Sequence, residues 1–298
     1  MDARQLEYFL AIVDHGGFNR AAERLHVAQP SLSQAIQRLE RELGVPLFHR
    51  TGRRVRPTAA GRAMVEPARQ VLRGLDATRA SVESVKGLLS GRVDIAVMPS
   101  QAVEPLTTIV TRFTDRFPGV TVDVTPVFTP PEAVELLREG ACELALVGTG
   151  EQVRAAGVRE HPVDTQRFIL VAPPGQDFGG ARAVGWHDLD GLRVIAAPHG
   201  SRMRHLVDRM LAAGVDLRVA VVAGHREAML PLVLNGAGVA VMTESWTRTA
   251  RSGGAHVLDL EPPTWIRISL LHRDAPLTPA AAAFRATALA SARSAHRA

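Results

Sequence analysis

The chain has one cysteine, Cys142, in 298 residues. A single thiol excludes an internal disulfide and a cysteine-built zinc site. Cys142 opens the apolar stretch Cys142-Glu143-Leu144-Ala145-Leu146-Val147, where a packed small hydrophobe is expected rather than a redox switch. Lysine is nearly missing: Lys86 is the only one, so arginine is the habitual base and an Arg-rich surface alone carries little weight. No run of about 18 apolar residues and no basic-then-apolar leader occurs; no membrane contact is expected, and the cytoplasm is the expected compartment. The eleven histidines are scattered, with no H-x-x-x-H or H-E-x-x-H spacing, so neither a metal nor a cofactor is expected. Ser100 and Ser201 lack a G-x-S-x-G elbow. Gly148-Thr149-Gly150 and Gly236-Ala237-Gly238 are bare G-x-G triplets, and the second falls between a helix and a strand, the reverse of dinucleotide-binding order. Catalysis is not expected.

What is present is uneven. The length leaves room for two or three domains, and 46% hydrophobic residues fit a globular chain. The net charge is +5, yet residues 1–60 hold nine Arg against six acids, more than half the excess in one fifth of the chain. That asymmetry suits a nucleic-acid module joined to something else. Within it, a short helix with Ala21, Ala22 and Leu25 inward meets a tight His26-Val27-Ala28 turn. A second helix opens at Gln29-Pro30 and closes near Gly44, where proline and glycine are favoured. Leu32, Ile36, Leu39 and Leu43 form one buried stripe. The opposite face carries Pro30, Gln34, Gln37 and Arg41, flanked by Ser31, Ser33 and Arg38, with no carboxylate in the first nine residues. Gln pairs bidentately with adenine, Ser with several bases, and Arg reads guanine or holds phosphate. An ordinary solvated face would look similar, and the neighbouring segment decides. Leu47 to Arg56 reads as two short strands around a Thr-Gly turn, with four arginines between Arg50 and Arg56 suited to phosphate. A helix-turn-helix with a wing lays one helix in the major groove of double-stranded DNA.

These residues resemble the DNA-binding domain of LysR-type transcriptional regulators. The likeness is carried by Leu6-Phe9-Leu10-Val13, the run AAERLHVAQPSLSQAIQRLERELGVPLFHR and the exit R-x-x-x-P-T-A-A-G from Arg53 to Gly61. The resemblance implies that Gln29, Pro30, Ser33 and Gln34 approach bases. It makes Ser31, Arg38, Arg50 and Arg53 backbone or wing contacts; Gln37 and Arg54 complete the candidate surface.

From Thr58, residues Met64, Ala68, Val71, Leu75, Thr78, Val82, Val85 and Leu89 alternate four and three apart, a coiled-coil seam. A helix of about 30 residues, roughly 45 Å long, needs that stripe covered, by a partner copy or by its own chain. A homodimer would also place two recognition helices on DNA. Pro67 predicts a kink or local break.

After Ser90-Gly91 the rhythm alternates. Strands are expected at 92–98, 120–127, 143–147, 168–172, 194–196, 217–223, 239–242 and 264–272. Helices are expected at 103–117, 131–138, 201–213, 227–235 and from Thr278. This predicts parallel sheet covered on both faces, in two units around a cleft. Ligands in such folds sit beyond strand C-termini. The loops placed there hold Ser100, Gln101, Thr129, Gly148, Thr149, His199, Gly200, Ser201 and Arg202, each region offering a hydroxyl that could equally be a plain helix cap. With Arg202 near and no carboxylate in those loops, a small carboxylate or similar anion is the expected guest, while the hydroxyls alone equally suit a neutral polar metabolite and an Arg202 pointing to solvent would remove the preference.

This half resembles, more loosely, the effector domain of the LysR-type family, itself similar to periplasmic binding proteins. The resemblance implies a small-molecule effector in the cleft and hinge strands near His161–Thr165 and Pro263–Arg267. Ala213-Gly214 and Gly224-His225-Arg226 are second-tier candidates. It also implies a dimer-of-dimers tetramer and contact with RNA polymerase. The expected architecture is α/β with an N-terminal α winged helix-turn-helix (1–60), a long linker helix (58–89) and two Rossmann-like α/β subdomains (about 90–162 with 267–298, and 163–266). A ligand-responsive transcription factor fits this better than an enzyme. A non-specific DNA-bending protein would leave the cleft without a task.

Overall fold

The computed structural model describes residues 1–51, 54–85, 90–176 and 178–295. The first helix, α1 (Ala3–His15), starts at a capping box in which Asp2 and Gln5 exchange hydrogen bonds, and stops at Gly16 with φ 65°. Helix α2 (Phe18–Arg24) and helix α3 (Gln29–Leu43) follow, joined by a turn in which His26 takes φ 52°. Leu32, Ile36 and Leu39 are fully buried, packed with Phe9, Ile12 and Ala21. Leu43 departs from the expected stripe: it is 40% exposed, because the last turn of α3 runs past the helices that cover the rest. Hairpin β1 (Phe48–Thr51) and β2 (Arg54–Pro57) comes next. Glu40 fixes it by accepting from the Leu47 and Phe48 N–H groups at 2.8 and 3.3 Å.

Helix α4 (Ala59–Val85) begins where Thr58 Oγ1 accepts from Gly61 N–H. A side chain at Gly61 would strike the Leu47 carbonyl, so the exit motif needs glycine there. The helix runs unbroken through Pro67, and the expected break does not occur. Pro67 and Ala63, whose carbonyl the proline leaves unbonded, are both exposed, so water can take that carbonyl. The seam divides. Ala68 is buried and Met64 half-buried against the DNA-binding core of the same chain, while Val71 and Leu75 remain 47% and 41% exposed. Own-chain packing therefore covers the first turns. Leu89 lies outside the described residues, as do the side chains of Val82 and Val85.

The remaining elements are β3 (Gly91–Val97), α5 (Pro99–Val103), α6 (Leu106–Arg116), β4 (Val120–Pro126), α7 (Pro130–Arg138), β5 (Leu144–Thr149) and β6 (Val158–Ala172). After them come β7 (Ala183–Gly185), β8 (Arg193–Ala196), α8 (Arg202–Ala212), β9 (Arg218–Val222), α9 (Met229–Leu234), β10 (Ala240–Thr243), α10 (Thr247–Ser252), β11 (His256–Glu261), β12 (Trp265–Arg273) and α11 (Pro279–Ala295). The helix expected at 103–117 is split: Glu104 is extended, as a residue before proline tends to be. The sheet order is β4-β3-β5-β12-β6-β11-β7, with β10 also on β6, and β8 pairs with β9. Only part of this is parallel. β3, β4 and β5 run together, as do β8 with β9 and β11 with β7, but β12 opposes β5 and β6, and β6 opposes β10 and β11. The return strand β12 enters from the second unit, so it meets the first unit's strands head to tail.

Two cores lie along β6. Val163 joins the core of Val93, Ile95, Phe113 and Phe284, whereas Phe168 to Ala172 join that of Val194, Leu206, Met210 and Val241. β12 divides likewise, Ile266 in the second core and Ile268 and Leu270 in the first. The chain thus crosses between cores at 164–167 and again at Ile266–Arg267. No helix among the described residues is long and apolar enough to cross a membrane.

On the same strand pair, His272 Nδ1 donates to the Arg273 carbonyl at 2.6 Å, which leaves Nε2 as an acceptor facing His161 Nε2 at 3.0 Å and Arg285 Nη1 at 3.2 Å. Burial lowers the pKa of both imidazoles, His272 adds to it at His161, and Arg285 and Arg159 add to it at both, while the bond to the Arg273 carbonyl and then Asp274 oppose it at His272. The unfolded chain then binds more protons than the folded one as pH drops below about 6.5. Stability is complete above that value and declines below it. Melting temperature is expected to fall as pH drops below about 6.5, and His161→Gln to flatten that limb. An acid limb of the same steepness in the variant would place its cause elsewhere.

Candidate DNA interface and effector cleft

With Leu32, Ile36 and Leu39 inward, the outer face of α3 presents Gln29, Pro30, Ser31, Gln34, Gln37 and Arg38 to solvent, with Ser33 half-buried. Ala28 supplies no side-chain cap. Arg41, by contrast, turns back to the Gln37 carbonyl at 3.3 Å. The hairpin carries Arg50 and Arg54 on its two strands. Arg53 falls outside the described residues, as do the side chains of Arg50 and Arg54.

The loops expected around the cleft converge. A Cβ built on Gly200 (φ 87°) would lie 4.0 Å from Thr129 Cγ2, and one on Gly150 would lie 2.5 Å from the Arg202 guanidinium. Ser100 Oγ is 3.6 Å from Met203 Sδ. Most of the hydroxyls have local partners. Thr129 and Ser201 cap α7 and α8, accepting from Glu132 and Arg204 N–H, and Thr149 Oγ1 donates to the Glu151 carbonyl at 2.5 Å. Ser100 is the one engaged across the cleft. His199 points outward, 78% exposed and 3.8 Å from Asp208. Ala213-Gly214 lies at the end of α8 remote from Ser201.

Other groups carry the polar tension. Gln101 is completely buried and neither amide atom has a hydrogen-bond partner, nor does the buried Nε of Arg202. Gly148 makes room for that amide: a Cβ there would stand 2.5 Å from Gln101 Nε2 and 2.7 Å from Ile266 Cδ1. A groove of ≈ 660 Å³ opens beside the cleft between α7 and residues 149–156, bordered by Pro130, Val134, Thr149, Gly150 and Arg202. It also carries Glu135 and Glu151, so its wall is not free of carboxylates as the four loops are. Sequence reasoning ranked Arg226 low and missed Met203. No local pattern marks either, because their contacts with Ser100 span more than 100 residues.

The family profile for bacterial regulatory helix-turn-helix proteins of the lysR family matches residues 3–62, and that for the LysR substrate binding domain matches residues 86–293. The chain belongs to the LysR family. It is a LysR-type transcriptional regulator, with a helix-turn-helix DNA-binding domain and an effector-binding domain, and not an enzyme. Over 242 residues it is 32% identical to a probable hydrogen peroxide-inducible genes activator of Mycobacterium leprae, covering 80% of this chain and 77% of that one. It is 31% identical to the regulator ShiR of Corynebacterium glutamicum, covering 86% and 88%. Crystal structures of CbnR, a LysR family transcriptional regulator, superpose with TM-scores of 0.70 alone and 0.69 in complex with target DNA. Both are 26% identical and cover 98% of this chain and 99% or more of the other.

Gly148→Ala is expected to lower stability by about 1–3 kcal/mol, since the added methyl must expel the Gln101 amide or shift Ile266. Urea unfolding reads this directly. An unchanged midpoint would mean the amide has room to move.

Proposed function

We propose that this regulator binds paired half-sites through α3, with Gln29, Pro30, Ser33 and Gln34 at base edges and Ser31, Gln37, Arg38, Arg50, Arg53 and Arg54 along the backbone. The observation that supports this best is the exposed, carboxylate-free face of α3, held outward by a fully buried stripe. The N-terminal domain, the linker and the effector domain then divide the labour near 1–60, 58–89 and 90–298. Val71 and Leu75, left uncovered on α4, join two chains, and two dimers form the working tetramer in the cytoplasm. A small anionic effector enters the cleft between the subdomains, its charge drawn by Arg202 and the N-terminus of α8. Its binding changes the relative angle of the effector domains, and with it DNA bending and contact with RNA polymerase. A ligand does this only by favouring one arrangement over another.

The likeness to peroxide-inducible activators does not bring thiol sensing with it. Peroxide oxidises an accessible thiolate, whereas Cys142 is buried among Leu137, Ala145 and Val147 and its thiol is pushed up to about 12 by burial.

Gln34→Ala should relax base preference at one position per half-site, at a cost of roughly 1–3 kcal/mol. Selection from random DNA tests it, and an identical motif from the variant would remove Gln34 from the base readers. Replacing Val71 and Leu75 together by Asp should separate the chains, because charges would enter a desolvated seam. Light scattering reads the mass. Full-sized oligomers with intact DNA affinity would show that the seam packs elsewhere.

A further inference from the structure

Arg226 opens a short 3-10 turn ahead of α9, in the second subdomain. Its Nη1 donates to Ser100 Oγ at 3.2 Å, across the cleft, and touches Met203 Sδ. Among the described residues it forms no ion pair. Burial alone pulls its pKa down, with no neighbouring carboxylate to oppose the loss of water. A guanidinium carries five N–H donors in a planar fork. Here it meets one neutral hydroxyl and one thioether, a weak acceptor. Taking a charge out of water is costly, and an arginine so placed lacks the acceptor that would offset it.

A second observation points the same way. Gln101, next to Ser100 on α5, is fully buried with both amide atoms unpartnered, and Gly148 keeps space open for that amide. Bound polar groups or water would ordinarily satisfy it. On the other flank Arg202 lies over Gly150 with its Nε unpartnered. The cleft therefore gathers unpaired donors from both subdomains.

We infer that Arg226 is the residue that receives the effector's carboxylate, and that without effector it latches the cleft by bonding to Ser100. The inference rests on the effector-controlled reading given above. A carboxylate matches the guanidinium fork with two parallel hydrogen bonds, which neither the hydroxyl nor the sulfur offers. On binding, it takes Arg226 from Ser100 and Met203, so the Arg226–Ser100 bond between the two subdomain faces is exchanged for bonds to the ligand. The Gln101 amide then meets the ligand's remaining polar group. Empty and loaded clefts consequently differ in what holds their two sides together. The sequence ranked Arg202 as the anion's partner; of the two arginines, Arg226 is the one bonded across to Ser100.

The test uses the full-length protein and a panel of acetate, pyruvate, succinate and phenylacetate, each compared with its neutral amide, with inorganic phosphate and with chloride at matched ionic strength. At least one carboxylate should raise the wild-type melting temperature by a few degrees where its amide and chloride do not. Arg226→Met should abolish that rise, and Arg226→Lys, which keeps the charge but loses the fork, should weaken binding on the order of tenfold or more. Arg226→Lys carries the comparison if the Met variant does not fold. A rise that persists in both variants, a rise with phosphate alone, or no carboxylate response in the wild type would each overturn the assignment. Mobility shift of the wild type on its own upstream DNA is read separately. Failure there would count against the regulatory reading while leaving the carboxylate result to stand or fall by itself.

Discussion

β6 and β12 pair antiparallel from Arg167↔Trp265 to Val158↔Arg273, with a register shift at Ile268/Ser269. Each strand gives one end to either core, so neither subdomain can form its sheet without the other's chain. That shared pairing sets which loops oppose each other. It brings the ends of β3 and β5, with Ser100, Gln101 and Gly148, against the start of α8 and the turn at Arg226. Because the chain crosses between cores only along these strands, a small change of angle there moves all the cleft loops together. A site built from both sides is then sensitive to what lies between them.

The polar groups of that site fall into two kinds. Thr129, Thr149 and Ser201 spend their hydroxyls on backbone groups a few residues away, as caps and turns do. Gln101 and the arginines at 202 and 226 are buried or partly buried without comparable partners. Each unsatisfied buried group costs about 1–3 kcal/mol. Such costs gather where a ligand supplies the missing partner. The hydroxyls build the loops, whereas the Gln101 amide and the Arg202 Nε keep unused hydrogen-bonding capacity.

What the sequence disclosed follows from how local each cause is. Helix α3 was legible because its stripe recurs at steps of three and four, while Pro30 and Gly44 each act locally on one end of it. Leu43 broke the pattern because burial depends on how far α1 and α2 extend, which no periodicity records. Most strand positions were legible from apolar runs, but residues 158–167 of β6 were not, nor was the mixture of parallel and antiparallel pairing, since β12 takes its direction from a return path of about 100 residues. β7, α10 and β11 went unread for a related reason: their stretches are short and lack a sustained period. In the cleft, position beyond a strand end singled out Ser100 and Gln101, whereas the contact that gives Ser100 its partner spans 126 residues.

Helix α4 joins the two functions physically. Its first turns are fixed in the DNA-binding core by Ala68, with Val65 and Leu72 packed beside it. Further along, Arg73 donates to the Gly140 carbonyl, and from within the first turns Glu66 faces Arg273 at 3.6 Å. Arg73 is buried enough that its pKa is lowered, chiefly by loss of water and then by Arg273, so the contact is partly shielded rather than a loose surface pair. Gly140 (φ 64°) has no side chain to keep the guanidinium away. Arg273 is the last residue of β12, the strand that runs back to the cleft. β12 and α4 are thus joined by an ion pair as well as by the chain between them. Beside those attachments the helix leaves Val71 and Leu75 open, so a second copy seated there would meet a helix already held by both the DNA-reading and the ligand-reading parts.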